Sequence, residues 1–375
     1  MPDKIRVLQF PIGNTKGGVT HYALNNWRFI DKAQFHFDFA TMSPYLSIEQ
    51  DIKDTGADIY HITEYAEKNP EKFYDELCLI LKKGRYDVVH LHTSHWKSMV
   101  AERAVKDMGI SYAVIHAHNS DVTAAKENRQ FEMERHLRLR NELREETGTG
   151  YWACSYLAAD FLFGNRISKD KIKVMKNAIE LDPFKFDTHV RREMREALGL
   201  SDRDWVIGCV GRFAYQKNQE FLLRVIKGIH KNTNVIKLVL VGEGEDLENC
   251  KSFVKENALE DIVLFTGYRN DVSRLMMAFD VLAMPSRFEG LAITLIEAQA
   301  AGLMCYVSEA VTREAGITDN IVFLPLQEEI WMEKLSRKIE IAREQMTGQV
   351  ADAGYDIHRQ IKEIEEGYRW GHKSR

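Results

Sequence analysis

The sequence predicts an α/β protein built from two doubly wound domains, each a parallel sheet with helices on both faces. Short apolar runs alternate with helix-period stretches along the whole chain, the pattern of parallel strands joined by crossover helices. The chain has 375 residues, more than one hydrophobic core usually serves. The pattern that starts at Lys4 also starts afresh at Trp205.

Composition narrows the function classes. Hydrophobic residues make up 45% and charged residues 29%, ordinary values for a globular chain. Residues 1–180 hold 25 basic and 25 acidic side chains, leaving 26 against 31 for the remainder and a net charge of −5. Neither half has the basic footprint of a nucleic-acid binder, so no nucleic-acid partner is expected. Cysteines 78, 154, 209, 250 and 305 lack disulfide or metal spacing, as in a reducing cytoplasm. The chain enters a strand directly, without a signal peptide. No apolar run reaches the roughly 18 residues of a membrane span, so a cytoplasmic location is expected.

In the first domain, Lys4–Phe10 reads as a strand and Pro11–Gly18 as a glycine-bearing loop, followed by a helix from about Val19 to Ile30. Strand, glycine loop and helix form the unit whose helix N-terminus accepts a phosphate. Gly17 and Gly18 carry that reading here, although the spacing is not that of a dinucleotide fingerprint. Further strands are expected near residues 36–40, 58–62, 87–91 and 111–116. His90-Leu-His92-Thr-Ser-His95 ends one of them. His90 and His92 share a face, but His95 lies past the strand end and no carboxylates accompany them. The expectation is therefore a polar cleft edge and no metal. Ile115-His-Ala-His118 ends the next strand. Residues 124–146, with six basic and six acidic side chains, read as a solvated helix. Residues 151–155 and 172–175 give two more strands, with a helix over 156–164 between them.

The second domain opens with a strand at Trp205–Val210 and the loop Gly211-Arg-Phe-Ala-Tyr-Gln-Lys-Asn218. Arg212 at a strand end and Lys217 at the next helix start can both reach one pyrophosphate, neutralising it without a metal. Strands near residues 237–241 and 263–267 follow. The apolar run Asp280–Met284 then leads into Pro285-Ser-Arg-Phe-Glu-Gly-Leu-Ala-Ile-Thr-Leu-Ile-Glu-Ala-Gln-Ala-Ala-Gly302. A helix is expected from Leu291 to Gly302. Glu289 and Glu297 stand eight residues apart, about 12 Å on a regular helix. That is too far for two carboxylates acting on one glycosidic bond. The spacing suits two hydroxyl-bearing rings flanking an anion held at the helix N-terminus. Strands near Cys305 and over 321–324, a long helix from Gln327 and an amphipathic helix over 358–370 complete the chain.

This Glu-x7-Glu stretch, together with Arg212 and Lys217, resembles the donor site of retaining GT-B glycosyltransferases, in particular glycosyltransferase family 4. The resemblance implies two Rossmann-like domains facing each other across a cleft. Asn177-Ala-Ile-Glu180 resembles the family's interdomain linker, giving domains over 1–180 and 181–354 and a crossover helix from about 355 to 375. It further implies catalytic roles for His118, Glu289, Arg212 and Lys217, with His116 the one-step alternative to His118. Donor contacts are implied for Gly17, Gly18, Arg212, Lys217, Arg269, Glu289, Gly290, Leu291 and Glu297.

The implied reaction moves a hexosyl unit from a nucleotide diphosphate sugar, expected to be a UDP-sugar, to a glycan or lipid-linked sugar acceptor in cell-surface polysaccharide synthesis. No cofactor or metal is expected. Peripheral contact with the inner membrane face, through Arg135, Arg138 and Arg144, is a further expectation. A nucleotide-sugar epimerase and a non-catalytic nucleotide-sugar binder stay open as alternatives. Met304 and Ala292 stand where the family commonly has proline, which bears on pocket shape.

Overall fold

A computed structural model describes residues 4–14, 17–230, 235–339, 343 and 346–373. Its contacts divide the chain into two compact units, Met1–Ala178 with Ile357–Arg375, and Ile179–Asp356. The sequence boundary was set at 180/181, while the contacts divide the chain at 178/179.

The first unit holds seven strands: β1 (Ile5–Ile12), β2 (Phe35–Thr41), β3 (Ile59–His61), β4 (Val88–Thr93), β5 (Tyr112–Ala117), β6 (Gly150–Ala153) and β7 (Ile172–Val174). They form one parallel sheet in the order β3-β2-β1-β4-β5-β6-β7. Every residue of β5 and β6 is buried, as expected of strands covered on both faces. The strand order reverses between β1 and β4. At such a point the loops leaving two adjacent strands diverge and open a crevice. The final helix, Ile357–Lys373, packs against the helix Gly18–Phe29 and against β1, β4 and β5. It is anchored by Tyr368, fully buried and stacked on Trp152 at 5.5 Å.

The second unit holds β8 (Trp205–Val210), β9 (Ile236–Val241), β10 (Val263–Gly267), β11 (Val281–Met284), β12 (Met304–Ser308) and β13 (Ile321–Leu324). They form a second parallel sheet, β10-β9-β8-β11-β12-β13, which reverses between β8 and β11. Its core gathers apolar side chains of β8, β9 and the helix Gln219–His230, closed by Trp331 and Leu335.

Several element bounds differ from the sequence reading. The helix expected from Leu291 begins at Ile293. The 12 Å helical separation of Glu289 and Glu297 therefore does not apply, because Glu289 lies in the loop four residues before the helix. The helix expected to run long from Gln327 covers only Glu328–Ser336. The charged stretch 124–146 resolves into a short turn at Lys126–Asn128 and the helix Arg129–Glu142, which buries His136 against Phe161.

Candidate functional site

The loops leaving β8 and β11 are laced together. The Arg287 backbone N–H donates to the Gln216 carbonyl (2.8 Å), and the Gln216 side-chain amide donates to the Phe288 carbonyl (3.2 Å) and to Glu289 Oε2 (3.1 Å). Asn218, held at φ +57°, donates its side-chain amide to the Pro285 carbonyl (3.0 Å). The Arg287 guanidinium lies over the Tyr215 ring, 4.5 Å from its centroid. Two glycines after β9 let the loop 211–213 come close. A Cβ at Gly242 would stand 2.2 Å from the Gly211 carbonyl oxygen, and one at Gly244 2.2 Å from that of Phe213.

This lacing brings Lys217 and Glu289 into contact, with Lys217 Nζ 2.7 Å from Glu289 Oε1. The carboxylate is buried and the ammonium nearly so. Gly290 and Leu291 follow in the same buried loop. Arg212 sits at the end of β8 with a half-exposed side chain, 4.0 Å from Glu245. Arg269 is engaged locally by a bidentate pair with Asp271 at 2.7 and 2.6 Å, which raises its pKa. Glu297 lies inside the helix Ile293–Ala300, and no side chain among the described residues pairs with it. Burial alone pushes its carboxyl up to about 7.

In the first unit, Gly17 precedes the helix Gly18–Phe29 with extended backbone (φ −120°) and Gly18 is its first residue. A Cβ at either position would meet nothing within 4 Å. Neither packing nor left-handed backbone within the chain requires glycine there. One turn into that helix, Tyr22 covers a layer of four histidines, its ring centroid 4.9 Å from that of His116 and 5.5 Å from that of His118.

The histidines come from two neighbouring strands, His90 and His92 from β4, and His116 with His118 from β5 and its end. His92 is in register with His116. Two His-x-His spacings on adjacent parallel strands place all four rings on one sheet face. The sequence reading did not join them, because it paired His90 and His92 with His95. His95 instead turns toward Thr123 and Glu132. His90, His92 and His116 offer nitrogens within 4.8 Å of one another. Three contacts of 2.9–3.0 Å, His90 to His116, His92 to His118 and His92 to Gln9, already use most of those nitrogens. His116 is fully enclosed, whereas His118, 7% exposed, is one of the two rings of the four that keep any surface. Burial lowers the pKa of all four, His118 to about 3, so each ring is neutral.

Of the arginines expected at a membrane surface, Arg135 pairs with Glu132 and Arg144 donates to the Asn141 and Leu143 carbonyls. No helix among the described residues is long and apolar enough to cross a membrane.

Comparison with known proteins bears on the second unit's site and on the fold. Residues 190–325 match the family described as glycosyl transferases group 1. The chain is 29% identical to EpsF of Bacillus subtilis (strain 168), named as a glycosyltransferase, over 95% of this chain and 94% of that one. The chain has the GT-B fold and carries a glycosyl transferases group 1 segment. It is also 29% identical, over 62% of its length and 60% of the relative's, to an Escherichia coli UDP-Gal:alpha-D-GlcNAc-diphosphoundecaprenol alpha-1,3-galactosyltransferase. Among solved structures, Anabaena HepE in complex with UDP and glucose superposes with a TM-score of 0.78 at 15% identity, covering 98% of this chain and all of that one. WaaG, a glycosyltransferase involved in lipopolysaccharide biosynthesis, gives 0.68 at 16% identity over 99% and 98% of the two chains. The two parallel sheets each reverse strand order once, and the group 1 match covers the loops after β8 and β11.

Proposed function

We propose that this protein is a retaining, metal-independent hexosyltransferase that uses a UDP-sugar and a glycan or lipid-linked sugar acceptor in cell-surface polysaccharide synthesis. The observation that carries the reading is the Lys217–Glu289 contact at the strand-order reversal of the second unit, with Arg212 beside it on the same loop.

Each group then has a part. An incoming diphosphate competes with Glu289 for the Lys217 ammonium and recruits the half-exposed Arg212 guanidinium. Two cations thus take the charge that a divalent metal would otherwise carry. Displaced from Lys217, the Glu289 carboxylate faces the transferred sugar, whose anomeric carbon gains positive charge as the diphosphate leaves. Glu297, buried without a partner, has unfilled acceptor capacity for the ribose hydroxyls. The backbone near Arg269 frames the nucleobase. The open space around Gly17 and Gly18 gives a ligand close access to the main chain. Retention follows from attack on the face the diphosphate leaves, with a diphosphate oxygen taking the acceptor proton, so no covalent glycosyl-enzyme is required.

The UDP donor and the lipid-linked acceptor class draw support from the Escherichia coli relative's name and from HepE binding UDP and glucose. The test is incubation with a panel of UDP- and GDP-hexoses and undecaprenol-linked acceptors in excess EDTA. Product anomers are then assigned by proton NMR. Transfer with the donor's anomeric configuration is expected. An inverted product, or loss of transfer that only added metal restores, overturns the proposal.

A further inference from the structure

The histidine layer is one end of a continuous hydrogen-bonded chain that reaches the C-terminal helix. His118 Nε2 lies 2.9 Å from His92 Nδ1, and His92 Nε2 lies 2.9 Å from Gln9 Oε1. The Gln9 amide donates to the Tyr368 hydroxyl (3.1 Å), which lies 2.7 Å from His90 Nδ1. His90 Nε2 is 3.0 Å from His116 Nδ1, and His116 Nε2 ends the chain without a partner among the described residues.

A neutral imidazole has one N–H and one lone pair, so each link dictates the next. The Gln9 carbonyl oxygen can only accept, so His92 carries its proton on Nε2 and accepts at Nδ1. His118 must therefore donate from Nε2, leaving Nδ1 as a bare lone pair. On the other side, the Tyr368 hydroxyl accepts from the Gln9 amide and has its own proton available for His90 Nδ1. With that proton on the Tyr368–His90 contact, His90 carries its own on Nε2, pointing at His116. Turning the Gln9 amide over would reverse every donor in the chain. The Gln9 amide, with its N–H end on the Tyr368 hydroxyl, therefore sets the tautomers of His92 and His118.

We infer that Tyr368, Gln9 and His92 are positioning residues that hold His118 in its Nε2–H tautomer, presenting an unprotonated Nδ1 to the reacting sugar. The inference rests on the reading of His118 as the histidine that meets that sugar. It gives the final helix a part in the reaction, since that helix delivers the hydroxyl that receives the Gln9 amide. Among the groups facing the chain, the Tyr22 ring lies against all four histidines, Trp152 against His90, His116 and Tyr368, and Phe35 and Phe37 against Tyr368. The Cys154 thiol donates to the His118 carbonyl at 3.5 Å.

The test combines nitrogen-15 NMR of histidine-labelled protein with kinetics of UDP release from the UDP-hexose most active in the panel above. Wild-type His118 should show an Nε2–H, Nδ1-bare signature at neutral pH. Tyr368→Phe keeps the ring stacked on Trp152 and removes only the hydroxyl. It should mix the His118 tautomers and lower kcat about tenfold with the donor KM nearly unchanged. Gln9→Leu breaks the same chain one link nearer and should act alike. In a His118→Ala background neither change should lower kcat further.

A wild-type His118 protonated on Nδ1 overturns the inference, as does an unchanged tautomer and kcat in both variants. Full turnover in His118→Ala would instead overturn the reading of His118 itself, whatever the spectra show.

Discussion

Lys217 Nζ lies 2.7 Å from Glu289 Oε1, a contact between the loops that leave the two strands flanking the strand-order reversal. Each charge neutralises the other in a site that excludes most water. Removing one partner strands the other, whereas removing both does not. Lys217→Ala should therefore cost about 3–5 kcal/mol in urea unfolding, and adding Glu289→Gln should recover much of it. Equal losses in the single and double variants would show that the pair is not coupled.

The same contact separates the two glutamates kinetically. In the proposed reaction Glu289 meets charge that develops only during transfer, so Glu289→Gln should mainly lower kcat. In that reaction the proposed Glu297 contact to the ribose is the same before and during transfer, so Glu297→Gln should mainly raise the donor KM. The lost charge-assisted hydrogen bond is worth about 1.5–3 kcal/mol, or roughly ten- to a hundredfold in KM. Steady-state kinetics of the two folded variants checks this, and a reversed pattern would exchange the two roles.

Glu297 also makes a stability prediction of definite sign. Its carboxyl is held near 7 in the fold against 4.5 unfolded. Between those values the folded state binds the extra proton, so this residue costs stability as pH rises through the window. Glu297→Gln should therefore be more stable than wild type above pH 7, by up to about 3 kcal/mol, with the advantage gone near pH 4. Thermal melts at pH 4.5 and 8 measure it. A variant that weakens donor binding while raising Tm marks a residue retained for function.

The histidine layer acts in the opposite direction. Burial keeps all four rings neutral, with His118 at about 3 against an ordinary 6.5. Below pH 6.5 the unfolded chain takes up protons that the folded layer refuses, so stability falls as pH drops toward 3. Each histidine adds about 1.4 kcal/mol per pH unit to that fall. Replacing His90 and His116 together by Gln should flatten the acid limb of the stability curve. An unchanged limb would mean that carboxylates elsewhere set it.

Gly17 gives a prediction about space rather than charge. A Cβ there meets nothing within 4 Å among the described residues, and the backbone is extended. Gly17→Ala should leave Tm within about a degree or raise it slightly. It should weaken substrate binding, because the methyl enters the approach to the main chain. Unchanged binding would leave Gly17 with no role beyond the turn.

Both parallel sheets and nearly every strand were legible from apolar runs and their spacing, since strands covered on both faces leave an unbroken apolar signature. The Arg212, Lys217 and Glu289 stretches were legible because charged residues at strand ends stand out against those runs. Gln216 was not, although it bonds Glu289. A neutral amide in a loop has no pattern, and its partner comes from another strand. Gly242 and Gly244 carry no signal in the sequence of what approaches them, and the structure shows that they admit the loop 211–213. The histidine layer was hidden for a topological reason. Its two His-x-His pairs are adjacent only because β4 lies beside β5, and Gln9 and Tyr368 join from opposite ends of the chain. The helix start at Ile293 rather than Leu291 reflects the buried loop 289–291, whose Glu289 backbone bridges to Val311.

Isothermal titration of UDP-hexose in excess EDTA, into wild type and into Lys217→Ala and Arg212→Ala, tests the metal-free diphosphate site most directly. Binding to the wild type should persist without metal, and each variant should weaken it about tenfold or more, the loss of one charge-assisted contact. Binding that vanishes in EDTA and returns with added magnesium or manganese, or affinity unchanged in both variants, would contradict the account.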